Sequence, residues 1–187
     1  MNTTALPAVG RSVSIVAAAV LFAACTDQTA LAPAQFGPTK IQLTTLPGTD
    51  TDGVIATLQR VTARYHNLSA AIDDEFVLLH PCEARGDEGP VGTVYVNIER
   101  LMDGVIDPQR PDALIYEPTR NGGLRLVGVE FAIPKPLWTG AEPPKFFGAT
   151  FQSEDEFGVF ALHAWVWRRN PEGLFAETNP RVSCGGA

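Results

Sequence analysis

The sequence predicts an α+β domain, with one amphipathic helix packed on an antiparallel sheet of about four strands. Three observations predict it. After Asp50, the residues Val54, Ile55, Leu58, Val61, Tyr65, Leu68 and Ile72 recur every three or four positions, the spacing of one helical face. Later stretches are rich in β-branched and aromatic residues, which suit a half-buried pleated surface. Between two of them stands Asn121-Gly122-Gly123, whose tolerance of positive φ favours a hairpin.

The chain has 187 residues, 14 Lys plus Arg against 21 Asp plus Glu, and a net charge of −7. That length suits one domain with appendages. Phosphate neutralisation calls for a basic stripe, and the sequence has none, so nucleic acid is not an expected partner.

The first 24 residues carry one charged side chain, Arg11, ahead of the apolar run Val13–Ala24. A helix needs about 20 apolar residues to cross a bilayer, and this run is shorter. A basic start, a short apolar stretch and small residues before a cut site predict a secretory signal peptide over 1–24. The stretch Leu21-Phe22-Ala23-Ala24-Cys25 resembles the lipobox of bacterial lipoproteins, with Phe22 where the family has Leu, Val or Ile. The resemblance implies lipidation of Cys25, a membrane anchor, and a cell-envelope address. Thr26 is not the Asp that holds some lipoproteins at the inner membrane, which favours the periplasmic face of the outer membrane in a Gram-negative host. The alternative is an ordinary signal with an incidental cysteine. Residues 25–49 then form a lipidated N-terminus and flexible tether rich in Thr, Ala and Pro, with a short strand possible at Ile41 and Leu43. The globular domain spans 50–187.

Thr51 or Asp52 can cap the helix, which is expected to reach about Asp73 before Pro81 and the Gly86–Gly89 loop stop it. Strands are expected at Gly92–Asn97, Ala113–Glu117, Leu124–Ile133 and Gly158–Arg168. Two-residue alternation puts Phe160, Leu162, Ala164 and Val166 on one face with Val127, Val129, Phe131 and Ile133. The opposite face receives Glu130, His163, Trp165 and Trp167, with Tyr95 or Glu117 as further members. The aliphatic face meets the helix, and the second face is the candidate ligand-binding surface.

On that surface Glu130 and His163 are the one pairing with chemical content. A carboxylate beside an imidazole orients it, raises its pKa, or supplies two metal ligands. A structural hydrogen-bonded pair is the plainer alternative. Trp165 and Trp167 can stack on a ring ligand or pack under a loop. His66 and His80 are expected elsewhere. With Cys25 lipidated, Cys82 and Cys184 remain as a pair in an oxidising compartment and predict a disulfide. They stand about 100 residues apart, and a loop of that length contributes about 4–5 kcal/mol in chain-entropy terms. Free buried thiols and metal ligation are the alternatives. The acidic runs Asp73-Asp74-Glu75 and Glu154-Asp155-Glu156 lack EF-hand spacing and read as solvated faces. No nucleophile elbow, zinc-protease helix, P-loop or dinucleotide fingerprint is present in the sequence.

Leu126–Phe131, Pro143-Pro144, Phe146–Gly148, Leu162–Trp167, Asn170-Pro171 and Asn179–Cys184, with Asp107-Pro108 and Leu114–Pro118 upstream, resemble a group of small secreted bacterial proteins of unknown function. The resemblance covers about residues 54–184. It implies a His in the segment matching Gly92–Asn97, where this chain has Val94, so a His–His–Glu metal site is incomplete here. No cofactor is therefore expected, beyond a possible metal at His163 and Glu130.

Beside a purely structural envelope component, which nothing in the sequence excludes, two functions with a site remain. One is a lipid-anchored envelope module, without enzymatic activity, that binds a small molecule or an envelope protein through its aromatic sheet face. The other is a metal-dependent or acid–base enzyme using His163 and Glu130.

Overall fold

A computed structural model of the chain describes residues 51–84 and 89–185. The signal peptide, Cys25, the tether and most of the Gly86–Gly89 loop lie outside the described residues.

The helical period between Asp50 and Asp73 folds as two helices rather than one. Helix α1 spans Thr51–Thr62, a 3-10 turn follows over Ala63–His66, and α2 spans Leu68–Asp73. Asn67 makes the break. Its backbone is extended (φ −91°, ψ 108°), and its side chain accepts a hydrogen bond from Ser69 N at 3.1 Å. Asn offers backbone groups a partner outside the helix, which is why it starts α2 instead of continuing α1. The break also turns Ile72 out to solvent, while Val54, Leu58, Tyr65 and Ala71 stay buried.

The main sheet has six antiparallel strands, not about four. They are β1 (Phe76–Ala84), β2 (Pro90–Asn97), β3 (Ala113–Pro118), β4 (Leu124–Pro134), β7 (Gln152–Glu154) and β8 (Val159–Ala164), in the order β1-β2-β3-β4-β8-β7. A separate two-stranded ribbon pairs β5 (Lys145–Phe146) with β6 (Ala149–Thr150). Pro81 was expected to end a helix. It sits instead inside β1, an edge strand, where a residue without an N–H is tolerated. Register shifts on both sides of His80 erase the two-residue alternation that reveals a strand.

A third helix, α3 (Ile98–Asp103), joins β2 to β3. The Asn97 side chain accepts from Arg100 N at 3.0 Å, and Gly104 ends the helix at φ 69°. That Asn and Gly pair was a readable start and stop signal, but the helix is too short to show a period.

The strands divide the side chains between two cores. The first holds Val54 and Leu58 of α1 against Tyr116, Val129, Phe131 and Leu162. The second holds Val91, Val94, Ile115, Val127 and Trp165, with a smaller group of Ala132, Val159 and Ala161 beside it. Leu101 of α3 packs on both parts of this second side.

A bulge corrects the face assignment on β4. Ile115 pairs with Gly128 and Tyr116 with Leu126, so Val127 is the extra residue. Val127 therefore enters the second core and Leu126 the first, the reverse of strict alternation. Tyr95 also packs on the helix side, while the Glu117 carboxylate accepts from Ser183 N at 3.0 Å.

Candidate functional site

Strand pairing brings Glu130 of β4 directly opposite His163 of β8. Their contact is 3.4 Å between His163 Nε2 and Glu130 Oε2, with side chains 5% and 12% exposed. The other ring nitrogen, Nδ1, donates to the Glu177 carbonyl at 2.5 Å. A carbonyl only accepts, so Nδ1 carries the hydrogen of that bond, and Nε2 is the ring nitrogen that faces the carboxylate. Burial disfavours the charged ring, but the Glu130 carboxylate, the Glu177 carbonyl and the charge of Glu154 outweigh it, and the His163 pKa is raised.

The pair forms part of the wall of a cavity of about 130 Å³. Leu101 of α3, Val96 of β2, Ala132 of β4 and Val159 of β8 supply apolar wall, and Glu154 adds a second carboxylate. His80 and Phe157 also line the cavity, with their rings stacked at 5.8 Å. The helical period ahead of it puts His80 in or just after a helix and away from this pair, whereas the fold makes the stretch a strand beside β2.

The two tryptophans part company. Strand β8 stops at Ala164, four residues earlier than expected, and Val166 N turns back to Ala164 O at 2.9 Å. Trp165 stays on the His163 side, 2% exposed, with its indole over Gly128. A Cβ at Gly128 would lie 3.3 Å from that ring and 3.0 Å from Ala164 O, a tight fit in which the neighbours would have to give by a few tenths of an ångström. The Trp165 indole N–H donates to Ala176 O at 2.7 Å. Trp167 crosses to the helix side. Its indole donates to Thr62 Oγ1 at 3.1 Å, and its ring meets His66 edge-on at 4.2 Å. Trp165 and Trp167 line a second, more open groove with Thr51, Ile55 and Leu174, none of which lines the Glu130–His163 cavity.

The rest of the second face is covered by the chain's own C-terminal segment. Side chains of the body hold its backbone in succession: Trp165 at Ala176, His163 at Glu177, Asn170 at Thr178 and Arg168 at Arg181. The expected disulfide ties Cys82 of β1 to Cys184, with Cα atoms 5.2 Å apart across a separation of 102 residues. None of these backbone anchors has a sequence motif, because each joins a side chain to whichever carbonyl the fold brings near.

Asp112, just before β3, is a group the sequence did not single out. Its Oδ2 accepts from Ala132 N at 2.9 Å, and its buried Oδ1 has no partner among the described residues. Burial pushes its pKa up to about 8.

Among the described residues no cluster of three or more His, Cys, Asp or Glu is placed to hold a metal ion. Val94, at the position where the resemblance implies a His, is wholly buried in the second core. Among the described residues no helix is long and apolar enough to cross a membrane. Comparison of the chain with protein-family models, curated proteins and solved structures finds no match.

Proposed function

We propose that the chain is a lipid-anchored protein of the bacterial cell envelope whose folded domain binds a small molecule beside Glu130 and His163. The anchor rests on the lipobox-like Leu21–Cys25, and the outer membrane is the expected address in a Gram-negative host. The binding role rests on one observation: a cavity with mostly apolar walls contains a buried, oriented carboxylate–imidazole pair. Apolar pockets with a few convergent polar groups are the common form of small-molecule sites. In this reading the cavity, rather than the tryptophan surface, takes the ligand.

The full chain expressed with its own leader tests both halves. Lipid mass on Cys25, and release from the membrane fraction in Cys25→Ser, are the outcomes expected for the anchor. A small molecule retained in native mass spectra, or shifts of the His163 ring resonances in a fragment screen, are expected for the pocket. An empty protein that answers to no fragment overturns the binding role.

A second reading, acid–base catalysis by His163 and Glu130, is favoured by the Glu177 carbonyl, which fixes the ring and leaves Nε2 facing the carboxylate. It requires a turnover that both His163→Gln and Glu130→Gln abolish. A ligand recovered chemically unchanged after long incubation counts against it.

A further inference from the structure

We infer that the Glu130–His163 cavity takes a neutral molecule of about the size of benzene that carries one hydrogen-bond donor, a phenol being the simplest, seated with its donor on the Glu130 carboxylate. This rests on the small-molecule reading above and names the ligand's chemistry.

Size comes from the cavity itself. Its volume of about 130 Å³ is close to the roughly 150 Å³ apolar cavity known to hold benzene. The walls from Val96, Leu101, Ala132 and Val159 offer no hydrogen bond from their side chains, so the body of the ligand is apolar.

Polarity comes from counting what the pair leaves unused. His163 commits both ring nitrogens, Nδ1 to Glu177 O and Nε2 to Glu130. The Glu130 carboxylate meets Nε2 through Oε2 and, among the described residues, no other donor. Its spare capacity is for accepting, since a carboxylate has about four acceptor positions. The matching group on a ligand is therefore an O–H or N–H.

Charge separates the remaining candidates. The Glu130 carboxylate favours the protonated form of the His163 ring, and in that form the two charges of the pair offset each other. An ammonium group on Glu130 would stand against the imidazolium at short range. An anion would meet the carboxylates of Glu130 and Glu154, both of which line the cavity. A neutral hydroxyl avoids both repulsions, and a hydrogen bond to an ionised acceptor is stronger than one between neutral groups.

The test is a matched series of phenol, toluene, benzylammonium and benzoate titrated into the full chain, read from the His163 ring resonances. Phenol is expected to bind at least tenfold tighter than each of the other three, and Glu130→Leu to bring phenol down to the level of toluene. Ala132→Leu fills the cavity without touching the pair and is expected to abolish binding, which keeps the test decisive if Glu130→Leu fails to fold. Toluene equal to phenol, or preference for a charged analogue, overturns the ligand chemistry and leaves the pocket standing. Absence of binding by the whole series overturns this inference alone if a native ligand is retained, and the pocket reading as well if none is.

Discussion

On one face of the sheet, α1, α2 and the β5–β6 ribbon close a core of large side chains, whereas on the other α3 packs beside a C-terminal strap held carbonyl by carbonyl and by one disulfide. The first face is held by volume. Phe131 alone meets Phe146 at 5.0 Å and Phe147 at 6.3 Å, both edge-on. The second is built from smaller residues, Val91, Val94, Ala113 and Ala132 among them, and leaves a cavity beside the Glu130–His163 pair. Apolar burial is non-directional and scales with area, so a dense core tolerates no gap. A face closed by directed hydrogen bonds can keep one.

The largest effect is expected on the dense face. Phe131→Ala should cost about 3–5 kcal/mol, read as a lower denaturation midpoint with an unchanged slope. Trp165→Ala strikes the second face, where the ring is buried and its N–H is paired. It should cost about 3 kcal/mol or more and unfold the strap, instead of weakening ligand binding on an intact fold.

Next comes the disulfide. Cys184→Ser should cost about 2–4 kcal/mol. Hydrogen exchange should then show lost protection at the amides of Trp165, Asn179, Val182 and Ser183, which bond into or from the strap. The amides of β3 and β4 should stay protected. Equal loss on both faces would break the distinction between them.

A smaller effect is a slope in stability with pH. The Asp112 pKa is raised to about 8 in the fold, so between its unfolded value near 4 and pH 8 the native state holds more protons than the unfolded one. Stability must fall as pH rises through that window. His163 acts in the same sense: its raised pKa gives stability that is complete below pH 6.5 and is lost as pH climbs through the folded value. Asp112→Asn should remove the lower part of the slope in thermal melts taken from pH 4 to 9, while His163→Gln should remove the upper part.

The smallest effect belongs to the exposed edge. Val77 and Leu78 of β1 are 51% and 53% exposed, so Val77→Lys should change stability by no more than about 0.5 kcal/mol in the same melts.

How much was legible follows from the range of each signal. Four stretches with β composition became β2, β3, β4 and β8, and the Asn-Gly-Gly turn joins β3 to β4. The cysteine pair was legible from count, as the two cysteines left once Cys25 is set aside with the lipobox-like stretch. Glu130 and His163 were legible as neighbours because alternation survives along that part of β4 and β8. Alternation failed at Val127, where a bulge inserted a residue, and at Trp167, where β8 had already ended. Edge strand β1 was hidden by Pro81 and its register shifts, and β7 by having three residues.

By itself the sequence determined what short-range periodicity and composition encode: an α+β domain, its central strands, and the pairing of Cys82 with Cys184. Those follow from backbone geometry acting over a few residues, or from redox chemistry. The cavity, the strap over the second face, the separation of Trp165 from Trp167 and the buried Asp112 were decided by tertiary structure. Each depends on contacts between segments far apart in the chain, and one inserted residue or one early strand end is enough to turn a side chain to the other face.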